Sequence, residues 1–261
     1  MLSIATDYAA DKGDPSPYLR RIADAGFTHV HWCHQWNTDF VYMDAEIEQI
    51  GKWLNEYGLE LLDLHGSVGP EKSWLSAREY ERLAGVALVK NRIEMTARLG
   101  GDAVVMHIPG EPGSEPLHRS LSELEPFARE RGVRIAVENG VFAAISDVLS
   151  QYSPEYVGLC YDSGHGNMSG EGLDRLAENT DRLCVLHLHD NDGKSDQHQV
   201  PFMGTIDWKR LAGIVAKSAY SKPVQMEVSM KQSGFEDEIA FLDKAREVGV
   251  RIAELIESAK S

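Results

Sequence analysis

Short apolar runs alternate with longer amphipathic stretches along the whole chain, beginning with the strand-like "MLSIATDY". "SPYLRRIADAGF" follows with helical spacing and stops at Gly26. The same switch between a period near two and a period near 3.6 then recurs. The further strand-like runs are "THVHWCHQW", "LELLDLHG", "DAVVMHIPG", "VRIAVENG", "VGLCYDSGH", "LCVLHLHD" and "PVQMEVS". Helical stretches separate them. "DAEIEQIGKWLNEYG" has Asp44 as its expected N-cap and Gly58 as its stop. A long helix is expected over 76–99, ended by Gly100-Gly101. In "LHRSLSELEPFARERG", Pro126 demands a first turn or a kink. "FAAISDVLSQY", "GLDRLAENTDR", "IDWKRLAGIVAKSAY" and a helix over 235–258 complete the series.

Strands each followed by a helix require parallel pairing. Eight such units, with no linker or low-complexity stretch between them, predict one (β/α)₈ TIM barrel domain over residues 1–261. A doubly wound open sheet is the competing architecture, but the first strand is not followed by a GxGxxG turn.

Composition narrows the class. The 261 residues are 43% hydrophobic and 26% charged, ordinary for a soluble domain whose core needs no staples. There is no apolar run of about 18 residues, so no membrane span is expected. The first ten residues lack the basic and apolar regions of a signal peptide. Cys33, Cys160 and Cys184 are odd in number and form no CxxC, which suggests reduced thiols in the cytoplasm. A net charge of −15 disfavours nucleic acid as a partner. A homodimer is expected only from the general habit of soluble enzymes.

Alternation along each strand separates a helix-facing from an axis-facing set. With Ile135, Val137, Leu159, Tyr161, Leu186, Leu188, Val224, Met226 and Val228 facing the helices, the inward residues are Glu138, Asp162, His187, His189 and Glu227. The same rule turns Asp63, His65 and His107 inward. Six strands thus each carry a Glu, Asp or His near their C-terminal ends, the rim where this architecture places its chemistry. Glu138, Asp162 and Glu227 facing one another are expected to repel and to raise one another's pKa. A divalent cation would remove the conflict, and mixed carboxylate and imidazole donors suit Mn²⁺, Zn²⁺, Co²⁺ or Fe²⁺. Asp63, one layer deeper than His65, reads as structural.

In order along the chain, "HGSVG", "MHIPG", "VENG", "DSGH", "HLHDND", "DQH" followed by "IDW", and "MEVS" resemble the xylose-isomerase-like barrels. That superfamily includes sugar and sugar-phosphate isomerases and epimerases, and the AP endonuclease family 2 enzymes of endonuclease IV type. The resemblance implies a metal site of Glu138, Asp162, His187 and Glu227, with the two glutamates also shuttling a proton. It implies one divalent metal per chain. If the site is instead multinuclear, with two or three metals, His65, His107, His165, Asp196 and His198 complete a nine-ligand set. In related barrels the ligand histidine stands three residues before an aspartate, which favours His187 over His189 in His187-Leu188-His189-Asp190. The expected activity is a metal-dependent isomerase or epimerase of a sugar or sugar phosphate. The alternatives are a multinuclear phosphoesterase and a metal-dependent lyase or dehydratase. His165, His189, Trp36 and Trp74 are the expected substrate contacts. Lys72, Arg78, Lys194 and Lys231 are the candidates for a phosphate, although no glycine-rich phosphate loop is present.

Overall fold

The computed structural model describes residues 1–67 and 69–260; Val68 of the "HGSVG" run and Ser261 lie outside the described residues. Strands β1 Leu2–Ala5, β2 His29–Trp32, β3 Glu60–His65, β4 Ala103–Met106, β5 Arg134–Glu138, β6 Val157–Asp162, β7 Leu183–His187 and β8 Val224–Met226 form one parallel sheet. Its order runs β7-β6-β5-β4-β3-β2-β1-β8, so every strand lies beside its sequence neighbour. Closure between β7 and β8 comes from Leu188 N–H donating to Gln225 O at 3.2 Å and Glu227 N–H donating to Leu188 O at 3.1 Å. The expected eight-stranded barrel is therefore present. Helices α1 Ser16–Asp24, α2 Asp44–Tyr57, α3 Glu79–Leu99, α4 Glu115–Glu130, α5 Phe142–Gln151, α6 Ser163–Ser169, α7 Gly172–Glu178, α8 Trp208–Val215 and α9 Glu238–Ser258 follow the strands.

The inward and outward sets behave differently. Outward residues such as Ile135, Val137, Leu159, Leu186 and Met226 belong to the large core between strands and helices. On the inside, Ala103, Val105, Ala136, Cys160, Cys184 and Val185 make a small separate apolar floor. The opposite inner wall is polar: Ser3, His31, Asp63 and Gln225 are all fully buried. His31 Nδ1 lies 2.6 Å from Asp63 Oδ1, and Lys222 Nζ lies 3.7 Å from Asp63 Oδ2. Lys222 also donates to Asp102 at 2.6 Å. A charge this deep persists only when paired, so Asp63 is held by an imidazole and an ammonium.

Several boundaries differ from the pattern-based expectation. The sixth strand ends at Asp162 rather than continuing through "SGH", and Ser163 opens α6. Asp162 caps that helix by accepting from His165 N–H at 2.7 Å. Asp44 is the first helical residue of α2, not its cap; Met43 takes the cap, its N–H donating to Glu46 at 2.8 Å. Pro126 sits in the interior of α4, which continues past it to Glu130. The helix expected from 76 starts at Glu79, and the last one starts at Glu238 behind an Asp237 cap.

Helix α3 crosses the 73–74 segment at Gly85. A Cβ there would overlap the Trp74 backbone nitrogen and the Ser73 carbonyl carbon, so the backbones meet only because the side chain is absent. Gly85→Ala is expected to cost about 1–3 kcal/mol by overpacking. That corresponds to a fall in Tm of roughly 2–12 °C for a chain of this size. Thermal denaturation reads it directly, and an unchanged Tm would contradict the close approach.

Candidate metal centre

Four of the inward acidic and imidazole residues are the last of their strands: His65 on β3, Glu138 on β5, Asp162 on β6 and His187 on β7. Glu227 follows β8 by one residue. Asp162 is the register partner of His187, whereas Glu138 pairs with Cys160, two residues before Asp162. Glu138, Asp162, His187 and Glu227 are all buried, and each offers one ligand atom within 4.8 Å of the others.

These atoms approach without bonding. His187 Nδ1 is 3.0 Å from Glu227 Oε2 and 3.4 Å from Glu138 Oε1. Yet Glu138 Oε2, Glu227 Oε2 and both ring nitrogens of His187 make no hydrogen bond among the described residues. Buried polar atoms are nearly always hydrogen-bonded. Lone pairs that converge with no donors aligned are what a cation's ligand set requires, and the donor chemistry fits a divalent metal.

Glu138 does raise Glu227 as expected, but the expected net rise is not found: both carboxyls are depressed. Burial pushes the Glu138 carboxyl up, but His187, His107 and His65 around it outweigh that and hold it well below its usual range. Burial likewise raises Glu227, and His187 with His198 depresses it despite the nearby Glu138. Burial pushes the His187 imidazole down, while Cys160, Glu227 and Glu138 together hold it well above its usual value. The reason is placement: the His187 imidazole stands between Glu138 and Glu227 on the rim, 3.4 Å from one and 3.0 Å from the other.

The remaining candidates ring this cluster. His107 Nε2 is 2.9 Å and His65 Nε2 3.6 Å from Glu138 Oε2, and the three form a second potential ligand group. His189, Asp196 and His198 form a third. His198 Nε2 lies 3.1 Å and His165 Nε2 3.4 Å from Asp196 Oδ2. Burial lowers His165, but Asp162 and Asp196 raise it to about 10. His198 is likewise pushed down by burial and raised to about 10 by Asp196 and Glu227. Asp196, raised by burial, is held well below the usual carboxylate range by His165 and His198.

All nine candidate ligands therefore meet at one place. Seven of them, His65, His107, Glu138, His165, Asp196, His198 and Glu227, line a cavity of about 250 Å³ together with Trp36, while Asp162 and His187 are buried outside its lining. The Trp36 ring lies 4.5 Å from that of His65. The other expected contacts fall elsewhere. Trp74 is 3% exposed and packed against α3 at Gly85, away from the cavity wall. His189 is fully buried behind the wall, with Nε2 2.9 Å from Asp162 Oδ2 and its ring stacked on His198 at 4.0 Å. Lys72, Arg78, Lys194 and Lys231 do not line the cavity.

The 190–208 segment carries Asp196 and His198, and Asp190 holds it together. Its carboxylate accepts from the N–H groups of Asn191, Phe202 and Ile206 and from Trp208 Nε1, at 2.8–3.2 Å. Asp190→Ala leaves those donors buried and unpaired. The expected cost is about 3 kcal/mol, read by denaturant unfolding, with faster amide exchange across 191–206. Unchanged stability and exchange would remove Asp190 from this role.

Asp7, His31, Ser229 and Gln232 also belong to the site or its floor and were not singled out from the sequence; Asp7, Ser229 and Gln232 line the cavity. Burial, with Glu227 close by, raises the Asp7 carboxyl above its usual range. A signal existed for two of them. Alternation continued along "SIATD" turns Ser3, Ala5 and Asp7 inward, and along "HVH" it turns His29 and His31 inward.

A closed parallel barrel with acids and imidazoles crowded on the C-terminal rim defines a class of barrel built for metal chemistry. The sequence profile described as "Xylose isomerase-like TIM barrel" matches residues 19–245, and the chain belongs to that family. The uncharacterised protein y4fM of Sinorhizobium fredii is 33% identical over 279 aligned residues, covering 93% of this chain and 89% of the relative. A probable endonuclease 4 of Thermoplasma acidophilum is 22% identical over 221 residues, 76% of this chain and 78% of the relative. Among solved structures, a D-tagatose 3-epimerase-like protein superposes with a TM-score of 0.80 at 16% identity, over 100% of this chain and 99% of the other. A D-psicose 3-epimerase crystallised in the presence of D-fructose gives 0.75 at 18%, with the same coverage. At these identities the likeness establishes the fold.

Proposed function

We propose that the protein is a divalent-metal-dependent isomerase or epimerase of a sugar or sugar phosphate, acting by proton transfer at the carbon next to a carbonyl. The carrying observation is that Glu138 and Glu227 share one ligand cluster with Asp162 and His187, and both open onto the same cavity. The likeness to a D-tagatose 3-epimerase-like protein and a D-psicose 3-epimerase supports the substrate class. Glu138, Asp162, His187 and Glu227 would hold one cation, with Mn²⁺, Zn²⁺, Co²⁺ and Fe²⁺ suited to the donors. When bound, the cation supplies a Lewis acid that polarises the sugar carbonyl. One glutamate accepts the proton from carbon, and the electron pair of the broken C–H bond moves toward the carbonyl oxygen. A carboxyl group then returns a proton to carbon, on the same or the opposite face. His107, His165 and His198 line the cavity where the sugar hydroxyls would lie, and Trp36 covers one side. The barrel interior behind them excludes water from the reacting carbon. The free, buried cysteines suit a reducing, cytoplasmic setting.

The test is hydrogen exchange. The metal-loaded protein, incubated with a panel of ketoses and ketose phosphates in D₂O, is expected to place deuterium on a substrate carbon. If no carbon exchanges in any of them, the reading is wrong.

A second reading has its own support: the His65–His107–Glu138 and His189–Asp196–His198 groups could hold further cations beside the first. Adjacent metals would suit a phosphoesterase, in line with the endonuclease relative. Metal content decides. About one per chain supports the isomerase, and two or three with hydrolysis of a phosphoester supports the alternative.

A further inference from the structure

His31 is a fully buried histidine outside the four-residue ligand set. Its Nδ1 meets Asp63 Oδ1 at 2.6 Å. An ionised carboxylate only accepts, so Nδ1 carries the proton and donates. In the neutral ring that tautomer leaves a lone pair on Nε2, an atom with no hydrogen-bond partner among the described residues, on a side chain with no exposed surface. The His31 and His187 rings lie 4.6 Å apart at 64°. His31, His187 and Glu227 each bring one ligand atom within 4.8 Å of the others. Asp63 Oδ2 lies 3.7 Å from Lys222 Nζ, so the carboxylate at the far nitrogen of the imidazole is itself ion-paired. A carboxylate bonded to the outer nitrogen of an imidazole is the arrangement that fixes tautomer and direction in metal-ligating histidines.

Resting on the reading above, we infer that His31 Nε2 is a ligand of the divalent cation that His187 and Glu227 hold, oriented by Asp63. His31 approaches from β2, whereas Glu138 and Asp162 approach from β5 and β6. The added imidazole tilts the site toward Zn²⁺ and Co²⁺ and away from Mn²⁺. Asp63 is a positioning residue: its effect on the cation passes through His31.

The experiment is zinc X-ray absorption with Zn²⁺ and Mn²⁺ titrations on the whole chain, comparing wild type, His31→Gln and Asp63→Asn. His31→Gln is expected to lose one imidazole from the zinc shell and to raise the Zn²⁺ Kd at least about tenfold, with a smaller change for Mn²⁺. Asp63→Asn can present an amide N–H to Nδ1, moving the ring proton to Nε2. It is expected to weaken Zn²⁺ by about 10–100-fold without losing the fold. An unchanged imidazole count and Zn²⁺ Kd in His31→Gln overturns the inference. Should that variant fail to fold by circular dichroism, an unchanged Zn²⁺ Kd in Asp63→Asn overturns it instead. The two readings separate cleanly. Wild-type protein that takes up no divalent cation defeats the proposed function, whereas bound metal that ignores His31→Gln defeats only this inference.

Discussion

Glu227→Gln is expected to keep the fold and to lower turnover of the sugar substrate by about 10³-fold or more, with substrate deuterium exchange falling alongside. Glutamine preserves the volume of a side chain in the buried rim cluster, so packing survives. Two abilities are lost. The neutral amide cannot accept a proton from carbon, and it is a poorer ligand than the carboxylate oxygen that now lies 3.0 Å from His187. The assay is therefore run at saturating metal, with bound metal measured, so that weaker binding is not mistaken for lost proton transfer. Fold-intact, metal-loaded Glu227→Gln with wild-type exchange would refute the role. Glu138→Gln tests the partner acid, and loss of exchange in both variants is expected if each handles the proton in one direction.

Removing divalent metal is the second large effect. A cation at about 100 times its Kd adds about 2.7 kcal/mol to folding. For a chain of this length that is a rise in Tm of roughly 5–11 °C over the chelator-treated protein. The size should depend on pH. His165 and His198 are both raised from 6.5 to about 10. Groups raised in this way contribute stability that is complete below pH 6.5 and disappears as the pH climbs through about 10. Asp196 is depressed from 3.8, so its contribution is present above 3.8 and is lost as the pH falls through its folded value. The metal-free cluster is therefore most stabilising between about pH 4 and 6.5 and fades toward alkaline pH. Metal binding runs the other way, because His187 must surrender its proton to become a ligand. The gap in Tm between loaded and stripped protein should widen from pH 6.5 to 9. A gap that stays constant or narrows would mean that the cation does not compete with protons at these histidines.

Much of this centre could be read from alternation alone. A strand buried on both faces still separates helix-facing aliphatics from axis-facing polar residues. Alternation turned Glu138, Asp162, Glu227 and both His187 and His189 inward; the four-ligand set, with His187 rather than His189, came from the family resemblance. What alternation does not carry is the path of the chain beyond the strand. "SGHGNMS" has no apolar period, so α6 was not visible; a side-chain cap and its packing make the helix. Trp74 looked like a rim aromatic, but the loop carries it onto Gly85, and no local pattern encodes that meeting. His31 and Asp63 looked unrelated for a different reason. Their pairing depends on an irregularity in the β2–β3 register between Val30 and His31, which sets His31 opposite Asp63. A register shift of this kind belongs to two strands jointly and leaves no mark on either one. The sign of the carboxylate pKa shifts was also out of reach, since it depends on which imidazole lies between which acids.

The capping bond at the head of α6 complicates the most obvious mutagenesis. Asp162 Oδ1 accepts from His165 N–H at 2.7 Å, and Oδ2 sits 2.9 Å from His189. Asp162→Ala would uncap a helix and release two histidines as well as delete a carboxylate, so its phenotype could not be attributed to coordination. Asp162→Asn separates these effects. An asparagine oxygen still caps but carries no charge, and whatever that variant loses beyond wild type belongs to the carboxylate itself.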